Sequence, residues 1–294
     1  MGMSTREMHG EVVAITGANG GIGRATAEAL AAKGATVLAC GRNPVRVREV
    51  VDSIRSRTAN EAVHPVVADL SSLAQVRELA AEIRERTDRL DVLVNNAGIG
   101  VDRRRETVDG NELTLAVNHL APFLLTLELA PLLVASSPSR VVTVSSANHT
   151  SVNDLDLDDI QSRSRYRWMD VYARSKLANI LFTRALARRL DGTGVTANCL
   201  HPGVIATEFG AGGDLNGVNA LMFRVFKWFL PGPEKGARTS VYLASSAEVA
   251  STTGRYFDDC KEVSPSALAQ DEELAERLWQ VSEELVGARW PDSF

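Results

Sequence analysis

Short runs of apolar residues alternate along the chain with longer stretches in which apolar positions recur every three or four residues. Val12-Val13-Ala14-Ile15 is the first run, and an alanine-rich stretch of helical periodicity follows at about 22–33. Strand-like runs return at about 35–40, 63–67, 91–94, 140–144 and 195–200, with helical periodicity near 44–57, 72–86, 111–135 and 170–190. Runs of four to seven apolar residues with few charges read as strands buried on both faces, and the helices between them supply the cover. The pattern predicts an α/β fold with a doubly wound parallel sheet of about seven strands and helices on both faces. Ligands of such sheets lie beyond the carboxyl ends of the strands.

Two stretches break the rhythm. Residues 147–169 are polar and irregular. Residues 208–232 begin with Gly210-Ala211-Gly212-Gly213 and carry an apolar run from Leu221 to Leu230. Both read as insertions beside the site within a single domain spanning 1–294. The run 221–230 is open to three readings: a lid over an apolar substrate, a subunit contact, or a membrane-surface helix.

Composition excludes more than it assigns. With 294 residues, 45% apolar and 23% charged, the chain is long enough to bury a large core. No apolar run reaches 18 residues without interruption, which speaks against an integral membrane segment, and the first residues lack the apolar stretch of a signal peptide. A net charge of −5 speaks against a nucleic-acid partner. Cys40, Cys199 and Cys260 form no CxxC pair, and the five histidines show no HxxxH spacing, so no metal site is expected and a reducing, cytoplasmic compartment is.

Thr16-Gly17-Ala18-Asn19-Gly20-Gly21-Ile22-Gly23 follows the first strand and opens a helix. Glycines let a backbone approach a pyrophosphate, and a helix N-terminus offers free N–H groups and a positive dipole. The spacing is ambiguous: Gly17, Gly21 and Gly23 fit GxxxGxG, whereas Gly17, Gly20 and Gly23 fit GxxGxxG. Further motifs follow in order. They are Asp69-Leu70, Asn95-Asn96-Ala97-Gly98, Asn118, Ser145-Ser146, Tyr172-Ala173-Arg174-Ser175-Lys176 and Pro202-Gly203-Val204-Ile205-Ala206-Thr207. Together, over roughly residues 10–260, they resemble the short-chain dehydrogenase/reductase family, whose fold is a Rossmann-type sheet binding a nicotinamide dinucleotide. The segments Ala116–Thr126, Ser175–Phe182, His201-Pro202-Gly203, Gly254–Cys260 and Arg277-Leu278-Trp279 look closer to its retinol-dehydrogenase-like branch. Members of that branch often carry a membrane anchor, and the resemblance here implies a relative without one.

The resemblance assigns cofactor contacts to Gly17, Asn19, Gly21, Ile22, Gly23, Asp69, Leu70, Asn96, Ile205 and Thr207. The second strand ends Cys40-Gly41-Arg42, with Gly41 where an acid would hold the ribose 2′-OH of NAD. A cation without a carboxylate suits a 2′-phosphate, which favours NADP(H) over NAD(H), with Arg42 as contact and Arg24 in support. The alternative is a pair of solvated surface arginines. Asp69 has its own alternative, capping the helix near Ser72.

Tyr172 and Lys176 stand four apart on a predicted helix and so share one face. With 4 Tyr and 5 Lys in the chain, chance gives that spacing only about 0.07 times. A phenol is too weak an acid for neutral catalysis, and a nearby ammonium lowers its pKa. The family roles carried over are proton exchange for Tyr172, support of the phenol and of the nicotinamide ribose for Lys176, and a hydrogen bond to the reacting oxygen for Ser146. Ser145 is the fallback for that last role. Asn118 resembles the residue that holds a relay water, or it is a buried Asn that satisfies a kinked backbone. The implied activity is NADP(H)-dependent interconversion of an alcohol and an aldehyde or ketone on a largely apolar small molecule. The alternatives are a silent NADP(H)-binding sensor or scaffold, and an epimerase or dehydratase of the same fold. The two long helices near 111–135 and 170–190 resemble the family's subunit contact, which implies a homodimer or homotetramer.

Overall fold

β1 (Val12–Thr16) is buried along its whole length, and its alternate residues feed two different cores. Val12 and Ala14 join one, Val13 and Ile15 the other. The structure is a computed structural model, and it describes residues 7–203 and 232–291. Ile205, Thr207 and the apolar run 221–230 lie outside the described residues.

β1 is flanked by β2 (Thr36–Gly41) and β4 (Val92–Asn95), within an eight-stranded sheet. The other strands are β3 (Val63–Val67), β5 (Ser139–Val144), β6 (Val195–His201), β7 (Tyr256–Asp258) and β8 (Lys261–Glu262). Their order is β3-β2-β1-β4-β5-β6-β7-β8. Every pairing is parallel except the last, β7 with β8. The chain builds outward from β1 to β3 and then returns to place β4 on the other side of β1. That reversal opens a crevice at the carboxyl ends of β1 and β4. The eighth strand is a two-residue return through Asp259 and Cys260, both at positive φ, and too short to leave a period in the sequence.

One face is covered by α1 (Gly21–Ala32), α2 (Pro44–Thr58) and α6 (Pro233–Ser245). The other carries α3 (Leu73–Arg86), α4 (Leu113–Ala135), α5 (Trp168–Arg189) and α7 (Glu272–Val286). Side chains cap most of the helix starts that need it. Asn43 accepts from Val45 N and Arg46 N at α2, Ser72 from Gln75 N at α3, and Asp271 from Leu274 N at α7.

α4 is apolar almost all round, and by length and composition alone it is long enough to cross a membrane. The uninterrupted-run test missed it because Asn118, His119, Thr126 and Glu128 punctuate the sequence. In the fold 78% of its most apolar window is buried inside the protein. α7 lies across α4 and α5. Trp279 packs edge-on to Phe123 with ring centres 4.8 Å apart and stacks on Phe182 at 5.9 Å. The Arg189 guanidinium sits 3.9 Å from the Trp279 ring and pairs with Glu276. The last helix thus packs over part of α4 and α5 through Trp279.

The insertion 147–169 contains two short 3₁₀ turns and packs onto the loop after β4. Gln161 accepts from Glu112 N at 2.7 Å and donates to Asn111 Oδ1 at 2.8 Å, and the Tyr166 hydroxyl donates to Val101 O at 2.9 Å.

Candidate active site

The glycine loop is fastened to β4 by Thr16. Its hydroxyl accepts the amides of Asn96 (3.0 Å) and Ala97 (3.1 Å), and Asn96 Nδ2 donates back to Thr16 O at 2.8 Å. Gly17 and Gly21 both have positive φ, +69° and +51°. A Cβ on Gly23 would lie 2.3 Å from Gly17 O. Gly20 is extended, a conformation open to any residue. The backbone therefore requires the Gly17, Gly21, Gly23 spacing, which resolves the ambiguity in the sequence. Asn19 lies between the loop and β2, and Ile22 is half-buried in the first turn.

Unlike the other capped helices, α1 begins with no side-chain cap and no acid in its first turn. Its amides are left for an anion, and the bare glycines let one approach. The residues present fit the pyrophosphate of a dinucleotide.

Arg42 is exposed at the end of β2, and Ala68 N donates to Gly41 O at 3.1 Å, so the ends of β2 and β3 adjoin. A Cβ on Gly41 would fall 2.7 Å from Val47 Cγ2 and 3.1 Å from Asn19 Cβ, so a larger side chain there would have to displace its neighbours. Arg24 instead donates to Ser53 Oγ on α2 at 3.1 Å. Asp69 Oδ1 accepts Ser71 N and Ser71 Oγ, so Asp69 makes a turn ahead of α3 while Ser72 does the capping. Leu70 packs against the core. Asn96 braces the glycine loop through its amide, a use the sequence did not suggest.

Ser146, Tyr172, Lys176 and Asn118 come together at the ends of β4 and β5. The Ser146 hydroxyl neighbours the Tyr172 phenol and draws its pKa down. Ser145 is turned inward, donating to Lys176 O at 2.6 Å, so it takes no part in the site. Lys176 is 3% exposed, and its Nζ donates to Val144 O at 3.1 Å. The same Nζ lies 5.7 Å from the centre of the Tyr172 ring and would meet a Cβ on Gly98 at 3.1 Å. Asn118 lies in a π-helical turn of α4, Ala116–Leu120. Its Oδ1 accepts Ile99 N, and its Nδ2 donates to Ile99 O and to Ser175 Oγ, joining α4, the loop after β4 and α5.

Burial pushes the Tyr172 phenol above its ordinary value, against a smaller downward pull from Ser146. Burial also brings the Lys176 ammonium down to about 8. Desolvation decides both shifts.

A family model for short chain dehydrogenases matches residues 11–213. The chain belongs to the short-chain dehydrogenase family. Within it the protein is retinol-dehydrogenase-like. It is 45% identical to Retinol dehydrogenase 14 of Homo sapiens over 294 residues, covering 95% of this chain and 87% of that protein. It is 43% identical to Polyprenol dehydrogenase of Mus musculus, covering 97% of this chain and 86% of that protein. Among solved structures, an uncharacterised protein from Mycobacterium paratuberculosis matches with a TM-score of 0.79 at 32% identity, covering 99% of this chain and all of that one. A short chain dehydrogenase from Burkholderia cenocepacia in complex with NADP matches with a TM-score of 0.68 at 28% identity, covering 85% of this chain and 96% of that one.

In this short-chain dehydrogenase the sequence also left His149 without a role. The residue is 2% exposed and sits one turn beyond Ser146. Its Nδ1 lies 2.8 Å from Ser146 O, and Ser266 N donates to its Nε2 at 3.1 Å. A short 3₁₀ turn has no periodicity to mark it. The nearest signal was the position of a histidine three residues after the serine pair.

Proposed function

We propose that this protein is an NADP(H)-dependent oxidoreductase that interconverts an apolar primary alcohol and its aldehyde. The observation that carries the reading is Lys176, buried against Val144 O and the Tyr172 ring, with Ser146 beside the Tyr172 phenol. Arg42 beside a filled Gly41 position supports NADP(H). The substrate class is supported by the likeness to a retinol and a polyprenol dehydrogenase, since both names denote long isoprenoid alcohols. Its three free thiols support a reducing compartment, the cytoplasm.

When bound, NADP(H) supplies or accepts the hydride at the carbonyl carbon. Ser146 and Tyr172 hold the reacting oxygen between their hydroxyls. Tyr172, protonated at neutral pH as an ordinary phenol is, delivers the proton from Oη to that oxygen. Lys176 carries a proton below about pH 8 and holds its charge beside the phenolate that results. Asn118 fixes Ile99 and Ser175, and through them the entrance on which Tyr172 stands. The protonation states suit reduction at neutral pH and oxidation in alkali.

The test is a spectrophotometric screen of NADPH oxidation with retinal, polyprenals, straight-chain aldehydes, ketones and steroids. Turnover confined to long apolar aldehydes is expected. Preference for short polar carbonyls, or equal use of NADH, contradicts the reading.

A further inference from the structure

Three rings stack beneath the catalytic serine. Tyr256 on β7 meets His149 edge-on, with centres 5.1 Å apart, and lies 5.7 Å from His201 on β6. The Tyr256 hydroxyl is 3.4 Å from His149 Nδ1. His201 Nε2 is 3.3 Å from Asp258 Oδ1, and its Nδ1 accepts Gly203 N at 3.2 Å. His201 thus serves the corner after β6, His149 serves Ser146, and Tyr256 lies between them.

The tautomer of His149 follows from its neighbours. A backbone N–H can only donate, so the amide of Ser266 requires a lone pair on Nε2. The proton is then on Nδ1 and is donated to Ser146 O. Ser146 also accepts Asn148 N through its side chain at 3.2 Å. Its carbonyl and its hydroxyl are both fixed, and only the hydroxyl reaches toward Tyr172. Burial holds the imidazole below its ordinary value, in keeping with the neutral form.

We propose that His149 is a positioning residue for the reaction, a strut between the segment after β8 and the Ser146 carbonyl that aims the Ser146 hydroxyl at Tyr172. Its contacts here are with Ser146 O, Ser266 N and the Tyr256 ring. The inference rests on the reading of Ser146 and Tyr172 as the reacting pair. Its effect falls on kcat, because the glycine loop and Arg42 stand at the ends of other strands, β1 and β2, and make no contact with this turn among those described.

The experiment compares H149F, H149N and H149Q in the full-length protein. The readouts are kcat, KM for the aldehyde, NADPH affinity by fluorescence titration, and Tm. In H149F, kcat falls by about 30- to 100-fold, the size of a small misplacement in a reacting group, with NADPH affinity unchanged. H149N keeps an N–H at the Nδ1 position and restores kcat to within about fivefold of wild type. H149Q reaches only the Nε2 position and stays at least about tenfold lower than H149N. If H149F does not fold, the asparagine–glutamine pair carries the test. The proposal is overturned if kcat of H149F stays within threefold of wild type, if H149N and H149Q are equal, or if NADPH affinity falls in step with kcat. Wild-type turnover by Y172F would instead refute the reading of the reacting pair, whatever the His149 variants do.

Discussion

Lys176 Nζ sits 5.7 Å from the centre of the Tyr172 ring and 3.1 Å from the Val144 carbonyl, inside the protein and one helical turn from the hydroxyl it serves. The pair shows catalysis and stability pulling in opposite directions. A buried ammonium whose folded pKa is depressed holds its proton more weakly than the same group in the unfolded chain. Its burden on stability is therefore full below about pH 8 and is relieved as pH rises toward 10.5.

Lys176→Met removes that burden and the activity together. The expected outcome is loss of turnover by at least about 10²-fold, with stability at pH 7 raised by at most about 3 kcal/mol. The gain shrinks as pH rises from 8 to 10.5. Denaturant unfolding of both proteins across that range checks it, and the difference between them cancels the tyrosines and cysteines that titrate in both.

The two adjacent serines separate by role. Ser146→Ala loses the partner of the Tyr172 hydroxyl, and kcat drops by about 10²-fold with little change in Tm. Ser145→Ala removes an additional donor to the Lys176 carbonyl, which keeps its helical hydrogen bond, and costs about 0.5–1.5 kcal/mol of stability while kcat stays within a few-fold. Steady-state kinetics with thermal melts on both variants decide the matter.

Cofactor choice turns on the end of β2. Arg42→Ala weakens NADPH binding by about tenfold and leaves NADH untouched, as one charge-assisted contact to a phosphate requires. Gly41→Asp does not convert the protein to NADH, because its Cβ runs into Val47 Cγ2 at 2.7 Å. It lowers Tm instead. Titration of both nucleotides against each variant is the check.

A pairing through α4 and α5 would have to displace α7. Light scattering is expected to give the mass of one chain, 31.7 kDa. Trp279→Ala loses contacts with Phe123, Phe182 and Arg189 and destabilises by about 3–5 kcal/mol. With the cover loosened, the apolar faces of α4 and α5 then drive self-association.

Much of this was legible in the sequence because strands buried on both faces leave uninterrupted apolar runs, and Val12–Ile15 or Val141–Val144 cannot be mistaken for surface. The ordered motifs placed Ser146, Tyr172 and Lys176 on neighbouring elements before any coordinates. What stayed hidden depends on through-space relations. The glycine spacing was settled by the φ of Gly21, the role of Gly41 by the methyl of Val47, and the setting of Asn96 by the carbonyl of Thr16. Burial, not charge, set the direction of the Tyr172 shift, and local sequence carries no measure of burial. Trp279 read as part of a closing helix, but nothing in its spacing named α4 and α5 as the surface it covers.

The most direct test is the 340 nm rate of NADP⁺ reduction by a long-chain isoprenoid alcohol, measured for wild type and Tyr172→Phe at matched cofactor occupancy. The account predicts turnover by wild type and a loss of at least about 10³-fold in the variant, whose NADPH affinity is unchanged. A variant that turns over at the wild-type rate would contradict it.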